Sequence, residues 1–332
     1  MMTNYSIEML SEGVLNGNRR LLAKAISLIE STLHKDRINA HKLLSILLPH
    51  TGKSWRIGIT GAPGVGKSTF IETFGLNIIS EGHRVAVIAI DPSSKRSGGS
   101  ILGDKTRMNN LSIHKDAFIR PAPSGGALGG VSTTTREVML LCEAAGFDVI
   151  IVETVGVGQS EIDVESMVDL FMALMLPNAG DELQGIKRGI MEITDLFVIT
   201  KADGTTEHLA NFAKAQINAI IKLLRPKYNH WLPQILTSSA IEHRGINETW
   251  ASCKAYFSAC NEVNSLALLR SQQNRQWFHQ LLENGFRELL YQFPTIKNQI
   301  PTLERQILDG TILPTFAADQ LLKKLNPVIP ES

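Results

Sequence analysis

Cysteine is scarce in this sequence. The 332 residues include three cysteines, Cys142, Cys253 and Cys260, and no pair of them has the Cys-x-x-Cys spacing. An odd number of cysteines without that spacing fits neither a disulfide framework nor a zinc site. We therefore expect reduced thiols and a cytoplasmic protein.

A charge excess of one sign and long apolar runs are missing as well. The net charge at neutral pH is +1. A chain without a strong basic field is not expected to bind nucleic acid or an anionic membrane. Residues 1–20 contain no continuous apolar segment, and no run approaches the ~18 apolar residues of a membrane span. The sequence therefore predicts neither secretion nor membrane insertion.

Short β-branched runs alternate with helical segments from Ser54 onward. Each run is followed by turn residues and then by apolar residues at helical spacing. Apolar strands that alternate with helices are typical of an α/β fold with a mostly parallel central sheet flanked by helices. The predicted strands are Trp55 to Thr60, Val85 to Ile90, Val149 to Glu153, Leu170 to Leu176, Leu196 to Thr200 and Ile235 to Thr237.

Helical segments are predicted on both sides of this region. Apolar spacing over residues 7–49 indicates two or three helices ahead of the sheet. After about Ile246 the strand pattern stops, and a long amphipathic helix is predicted over Leu266 to Phe293, followed by a second helical segment over Leu303 to Leu325. The predicted domains are an N-terminal helical extension (1–50), a central domain (51–255) and a C-terminal helical arm (256–332).

A phosphate-binding loop follows the first predicted strand. Residues 61–69 match G-x-x-x-x-G-K-[ST] in full, between that strand and a helix predicted over Thr69 to Ile79. In such a loop backbone N–H groups surround phosphate oxygens, Lys67 neutralises the β and γ phosphates, and Ser68 coordinates Mg²⁺. A turn that only connects strand to helix has no need for Lys-Ser at these positions. The predicted contacts are Gly61, Ala62, Pro63, Gly64, Val65, Gly66, Lys67, Ser68 and Thr69.

A base-recognition motif follows the strand that ends near Thr200. Residues 200–203 read Thr-Lys-Ala-Asp and resemble the Asn-Lys-x-Asp motif of GTPases. The Asp203 carboxylate can accept from both N1–H and the exocyclic amine of guanine, and the Lys201 stem can cover the base. Thr200 departs from Asn, because a hydroxyl replaces one amide hydrogen bond but not two. A strand-to-helix turn capped by Asp203 is the alternative.

Further residues complete the predicted nucleotide and metal site. Ser238, Ser239 and Ala240 follow the next strand and resemble the fifth GTPase motif, whose backbone amides approach the guanine oxygen. Glu153 and Gly156 resemble the Asp-x-x-Gly motif with Glu in place of Asp, and Gly156 would bind the γ-phosphate. The predicted metal residues are Ser68, Asp91, Asp104 and Glu153, with a solvated loop charge as the alternative for Asp104.

The residues that would position the attacking water are incomplete. Val157 follows the motif glycine, where Ras-like switches have the water-positioning residue, and Gln159 comes later. Unassisted turnover is therefore expected to be slow, near the ~10⁻⁴ s⁻¹ of an unaided switch GTPase. The missing group can come from a partner or from Asp181–Arg188, which is otherwise a solvated charged loop. The predicted catalytic residues are Lys67, Glu153 and Lys187.

These motifs together resemble the MeaB/ArgK/MMAA family of P-loop GTPases, also described as LAO/AO transport system kinases. The runs that carry the resemblance are Gly61–Thr69, Glu153–Glu161, Asp181–Met191 and Lys201–Gly204, and it covers nearly the whole chain. In that family the third motif begins with Glu. Thr200 is the clear departure.

The resemblance implies hydrolysis of GTP to GDP with Mg²⁺, and a homodimer built largely by the C-terminal arm. It also implies association with an adenosylcobalamin-dependent acyl-CoA mutase, typically methylmalonyl-CoA mutase, whose cofactor loading the GTPase gates and which it protects. Residues 181–188 would then be a third switch that contacts the mutase. By position, the nucleotide and metal residues would be Lys67, Ser68, Asp91, Asp104, Glu153, Lys201 and Asp203.

Other functions stay open at this point. Some relatives have been described as kinases linked to basic amino-acid transport, and a module that binds GTP without turnover has the same motifs. A nickel metallochaperone is disfavoured, because the chain has no His-rich tract or cysteine pair to hold a soft metal. The long helix over residues 266–293 could pack on its own sheet or bury its apolar stripe against a second subunit.

Overall fold

The chain forms two compact units in a computed structural model. The structure describes residues 5–90, 108–122, 130–154, 160–177 and 188–324. The first unit is Met1–Asn274 and the second is Arg275–Ser332. The first unit contains both the N-terminal helices and the sheet, whereas our three-part domain division is drawn from sequence patterns and stays a prediction.

A parallel sheet forms the centre of the first unit. Within the described residues it has seven strands in the order β3-β2-β4-β1-β5-β6-β7, and every pairing is parallel. The predicted α/β class is therefore confirmed. The strands are β1 (Trp55–Gly61), β2 (Val85–Ile90), β3 (Ala117–Ala122), β4 (Val149–Thr154), β5 (Leu170–Met175), β6 (Leu196–Ile199) and β7 (Gln234–Thr237).

Strand β3 was not predicted from the sequence. Its run contains Arg120 and Pro121, which interrupt the apolar pattern that identifies the other strands. In the sheet β3 pairs only with β2 and forms one edge. Proline is tolerated on an edge strand, because one side of that strand needs no ladder hydrogen bonds. The other strands lie where the sequence predicts them, with ends that differ by a residue.

Helices cover the sheet and precede it. Three helices, α1 (Ile7–Leu15), α2 (Arg19–Ile29) and α3 (His34–Leu47), occupy the predicted N-terminal region. Ser6 and Asn18 cap α1 and α2 by accepting backbone N–H bonds. The helices that follow are α4 (Lys67–Ser80), α5 (Asn109–Ile113), α6 (Gly130–Ala144), α7 (Ser160–Glu165), α8 (Arg188–Ile193), α9 (Glu207–Ile221), α10 (Ile246–Glu262) and α11 (Ser265–Gln292).

Alternate residues of each strand enter different cores. In β4, Ile150 and Val152 pack with the N-terminal helices, while Val149 and Ile151 pack on the opposite face with Phe74. All six residues of β4 are buried. A strand covered on both faces favours apolar side chains on both of them, which explains the continuous apolar run from Val149 to Val152.

Aspartates fix the amino ends of neighbouring strands. Asp148 precedes β4 and accepts the backbone N–H of Arg84 at 2.6 Å. Asp169 precedes β5 and accepts that of Arg56 at 2.8 Å, and Asp195 precedes β6 and accepts that of Phe171 at 2.9 Å. Each bond connects two neighbouring strands at their amino ends. The predicted motifs lie at the opposite, carboxyl ends of the strands.

The start of α11 is anchored to the same edge. The Arg270 guanidinium donates to both carboxylate oxygens of buried Asp169, at 2.7 and 2.6 Å. Gln273 donates to the carbonyl of Val168 at 2.8 Å. A bidentate pair between an arginine and a buried carboxylate holds its partners in one orientation, so the first turns of α11 are fixed in the first unit.

The second unit is helical. It contains the rest of α11 and α12 (Pro294–Lys297), α13 (Ile300–Leu308) and α14 (Pro314–Leu322). The helical segment predicted over 303–325 is in fact two helices, because Gly310 has φ +68° and Pro314 begins a new helix. Among the described residues no helix has the length and apolar character needed to cross a membrane.

The partly buried carboxyl of Glu137 on α6 leads us to predict a pH-dependent stability. Burial raises the pKa of Glu137 to about 7, and Arg37 opposes the shift. The protonated form therefore stabilises the fold at low pH, and this contribution is lost as the pH rises through about 7. Glu137→Gln should raise the free energy of unfolding by about 1–3 kcal/mol at about pH 8, and the gain should vanish near about pH 4, below the pKa of an unfolded glutamate.

Chemical denaturation at both pH values measures this effect. Glu262→Gln on the exposed surface of α10 is the matched control. A gain for Glu137→Gln that does not depend on pH, or no gain at about pH 8, would contradict the assignment.

Candidate nucleotide-binding site

The phosphate loop joins the carboxyl end of β1 to α4. Gly66 immediately precedes α4 with φ +91°, a conformation that residues with a Cβ rarely adopt. A Cβ on Gly61 would lie 2.7 Å from the carbonyl oxygen of Leu174 in the neighbouring strand. Ser68 and Thr69 lie in the first turn of α4. The loop therefore has the conformation that the motif requires, with a helix amino end directed to the same place.

Lys67 lies folded back over this loop. Its Nζ donates to the carbonyl oxygens of Gly61, at 2.5 Å, and Ala62, at 3.2 Å. Burial lowers the pKa of Lys67, while the negative charges of Glu153 and Glu161 act in the opposite direction. Both glutamates are themselves buried. The two acids keep a cation favourable in the loop, where phosphate oxygens would supply the same compensation.

Glu153 lies at the carboxyl end of β4, beside the phosphate loop. The next residue, Thr154, donates its hydroxyl to that of Thr60 on β1 at 3.0 Å, and both side chains are buried. The strand carrying the third motif is thus tied to the strand carrying the phosphate loop. Thr154 and Glu161 were not predicted to lie at the site, although both belong to the run that carries the family resemblance, because spacing does not reveal which side chains of a motif are buried.

Thr200 connects the base motif to the phosphate loop. Its hydroxyl lies 2.7 Å from the carbonyl oxygen of Val65 and 3.1 Å from that of Met175. Its backbone N–H also donates to Met175 at 2.8 Å. A hydroxyl has a single hydrogen to donate, and the shorter distance assigns it to Val65. The hydroxyl that replaces the usual amide therefore makes one bond across the site.

The Asp203 carboxylate is held by a serine. Ser239 is buried, and its hydroxyl donates to Oδ2 of Asp203 at 2.6 Å. The backbone N–H of Ala202 donates to the carbonyl oxygen of Ser238 at 3.1 Å. Asp203 precedes a short 3₁₀ helix, Gly204–Thr206, but its side chain makes no cap hydrogen bond there. The capping alternative is therefore not what the structure contains.

Several predicted site residues lie outside the described residues. These are Asp91, Asp104, Gly156 and Lys187. Within the described residues the structure brings Lys67 and Glu153 together at the phosphate loop, and Lys201, Asp203, Ser238, Ser239 and Ala240 at the ends of β6 and β7. In that part of the chain no cluster of three or more His, Cys, Asp or Glu residues could hold a metal ion.

A parallel sheet with this loop at the carboxyl end of its central strand defines the chain as a P-loop NTPase. The model of the family described as methylmalonyl Co-A mutase-associated GTPase MeaB matches residues 22–294. The chain belongs to this family, and it is a GTPase. The resemblance recognised from the motifs is thereby confirmed.

Named relatives support the assignment. GTPase ArgK of Escherichia coli is 50% identical over 267 residues, which cover 80% of this chain and 81% of the relative. The mitochondrial methylmalonic aciduria type A homolog of Mus musculus is 45% identical over 327 residues, 96% of this chain and 79% of the relative. A crystal structure of an LAO/AO transport system kinase is 37% identical, covers 98% of this chain and 100% of its own, and superimposes with a TM-score of 0.79.

Removing the Thr200 hydroxyl should weaken nucleotide binding. Thr200→Val keeps the shape of the side chain but leaves the Val65 carbonyl without this donor. We expect a loss of about 1–2 kcal/mol in unfolding free energy and about 10-fold weaker GDP binding. Calorimetric titration and thermal unfolding measure the two effects.

Thr200→Ser is the matched control, because it retains the hydroxyl and loses only a methyl group. It should bind GDP within about threefold of the native chain. Equal GDP affinity for the native chain and Thr200→Val would show that the bond to Val65 does not support the site.

Proposed function

We propose that this GTPase hydrolyses GTP to GDP and phosphate as a chaperone and gate for an adenosylcobalamin-dependent acyl-CoA mutase of the methylmalonyl-CoA mutase type, controlling cofactor loading and protection of the mutase. One observation carries the nucleotide part of this proposal. The phosphate loop and the base-reading carboxylate are joined through Thr200 and aligned at one edge of the sheet. The partner is supported by the description of the family itself.

In the proposed site each phosphate-end residue has a distinct task. The ammonium of Lys67, already resting in the phosphate loop, would move onto the β and γ phosphates and balance their charge. Gly156 would donate its N–H to the γ-phosphate, and Lys187 would place a further positive charge there. Removal of the γ-phosphate would then release the segment that contains Gly156.

The donor set at the phosphate end suits Mg²⁺. The Ser68 hydroxyl in the first turn of α4 and the buried Glu153 carboxylate at the end of β4 are hard oxygen donors of the kind that Mg²⁺ accepts beside phosphates. Asp91 and Asp104 would complete the shell directly or through water. When bound, Mg²⁺ would neutralise charge on the β and γ phosphates.

The base end selects guanine by its hydrogen-bond pattern. The Asp203 carboxylate accepts from Ser239 and has acceptor capacity left for N1–H and the exocyclic amine of guanine. Adenine lacks this pair of donors, so it would desolvate the carboxylate without supplying these two hydrogen bonds. The Lys201 stem would cover one face of the base, and the backbone of residues 238–240 would approach the guanine oxygen.

An amide in place of the carboxylate should change the preferred base. Asp203→Asn replaces one carboxylate oxygen, an acceptor, by an NH₂ group, a donor. This NH₂ group would face the amine of guanine, which is also a donor. We expect GDP affinity to fall by about 100-fold or more, and xanthosine diphosphate, which carries an oxygen at that position, to bind better than to the native chain. Titration with GDP, XDP and ADP measures this change.

Asp116→Asn at the amino edge of the sheet is the matched control, and it should leave all three affinities unchanged. Equal affinity of the native chain for GDP and ADP would refute the assignment of Asp203.

The C-terminal arm is the proposed contact between two copies of the chain. Four large apolar side chains at helical spacing on α11 are each more than half exposed, Phe278, Leu282, Phe286 and Leu289. A stripe of this kind on a helix is typical of a surface that another chain covers. A homodimer would bury it, in accordance with the arm predicted over residues 256–332.

A reconstitution experiment tests the proposed function. The full chain, in GDP, GTP-analogue and nucleotide-free states, is mixed with adenosylcobalamin-dependent methylmalonyl-CoA mutase and followed by analytical ultracentrifugation. We expect a dimer of this chain alone, a complex with the mutase that depends on the nucleotide, and GTP hydrolysis that the mutase stimulates by at least about tenfold. Lys67→Ala should abolish hydrolysis, and absence of a complex in all three states would refute the mutase partnership.

The description of the 37% identical structure as a transport system kinase supports one alternative. In that case the γ-phosphate of labelled GTP would appear on a protein rather than as free phosphate.

We also propose a cytoplasmic location, which cell fractionation tests, because the three cysteines are all free and buried.

A further inference from the structure

The backbone of the base motif has a conformation that its own residues do not favour. Lys201 has φ +53° and Gly204 has φ +48°. The residues that flank Ala202 and Asp203 therefore both have a left-handed backbone conformation. A left-handed backbone conformation is unfavourable for a residue with a side chain, and contacts elsewhere must offset that cost. Thr206 supplies one such contact, because its hydroxyl donates to the carbonyl oxygen of Lys201 and lies 2.8 Å from that of Asp203.

Ala202, the residue just before Asp203, is held at both of its backbone polar groups by residues beyond β7. Its N–H donates to the carbonyl oxygen of Ser238. The Ala202 carbonyl oxygen accepts from Nη2 of Arg244 at 2.9 Å. A bond to this carbonyl fixes the plane of the Ala202–Asp203 peptide, and that plane sets the direction in which the Asp203 side chain leaves the backbone.

Arg244 is itself held in place. Its backbone pairs with Ser239 at 3.0 and 3.1 Å, and its carbonyl oxygen accepts the hydroxyl of Ser238 at 3.1 Å. Glu207 and Glu242 flank the guanidinium at 3.2 and 2.8 Å. The residue that holds the Asp203 backbone is therefore paired with the residue whose hydroxyl holds the Asp203 carboxylate.

A cavity lies beside this contact. The cavity has a volume of about 250 Å³ and is lined by Ala202, Arg244 and Lys214 among others. The Arg244 side chain is about half exposed, at 49%. Shortening this side chain would enlarge an open cavity and leave the apolar core intact, so its loss should affect the geometry of the base site more than the fold.

We infer that Arg244 is a positioning residue for guanine specificity, acting through the Ala202 carbonyl on the direction of Asp203. This inference rests on the proposed role of Asp203 in reading the base. It adds a residue that sequence motifs do not mark, because Arg244 is separated from the base motif by 42 positions and reaches it only in the folded chain.

Guanine and hypoxanthine nucleotides give a readout specific to this role. Hypoxanthine keeps N1–H but lacks the exocyclic amine, so the ratio of the IDP and GDP dissociation constants measures the second bond to Asp203. For Arg244→Ala we expect this ratio to fall by about 5- to 10-fold, since a misdirected carboxylate loses its preference for the amine. The KM for GTP should rise, and kcat at saturating GTP should stay unchanged.

Three further variants separate the contacts of Arg244. Arg244→Lys keeps the positive charge and one donor, so it should give an intermediate ratio. Glu242→Gln and Glu207→Gln weaken the flanking ion pairs but retain the bond to Ala202, and both should keep the native ratio within about twofold. A ratio that falls equally in the glutamine variants would show that the surface ion pairs are responsible and would overturn the inference.

Isothermal titration with full-length protein decides the result, with thermal unfolding to verify folding. Native ratios in both Arg244→Ala and Arg244→Lys would overturn the inference, and if Arg244→Ala does not fold, Arg244→Lys decides alone. Asp203→Asn tests the base assignment separately from the role of Arg244. If it leaves the ratio unchanged, the base assignment fails; if it lowers the ratio and the Arg244 variants do not, only the role of Arg244 fails.

Discussion

The hydroxyl of Thr200 makes the bond on which the arrangement of this site depends. It joins the carbonyl of Val65 in the phosphate loop to the end of β6, 135 residues further along the chain. A nucleotide presents a base and a phosphate group at a set separation, so a protein that binds both must hold the two subsites at that separation. A buried hydrogen bond between the subsites does so directly, because breaking it would leave a desolvated carbonyl unpaired.

The amino and carboxyl ends of the strands in the sheet have different roles. At the amino edge Asp148, Asp169 and Asp195 each bind the backbone of a neighbouring strand, and Arg270 secures the second of them. These contacts hold the strands in register without any ligand. The loops at the carboxyl ends of the strands are therefore not needed to hold the sheet together. These loops carry the phosphate motif and the base motif.

Much of this fold could be predicted from the pattern of side chains. Strands such as β4, buried on both faces, are continuous apolar runs, and the phosphate loop is recognisable because glycine, lysine and serine occupy positions set by chemistry. Strand β3 escaped prediction because Arg120 and Pro121 are acceptable only at an edge. The break between α13 and α14 was likewise missed, since helical periodicity continues across Gly310.

Sequence by itself determined the class of nucleotide site, since Lys67, Ser68 and Asp203 are identified by residue type and local spacing, which folding does not change. Only the tertiary structure decided which residues support them. Thr200 bonds to the phosphate loop, Ser239 bonds to Asp203, and Arg244 bonds to the backbone between them. These partners are distant in sequence, and their contacts exist only because parallel strands bring the ends of β1, β6 and β7 to one edge of the sheet.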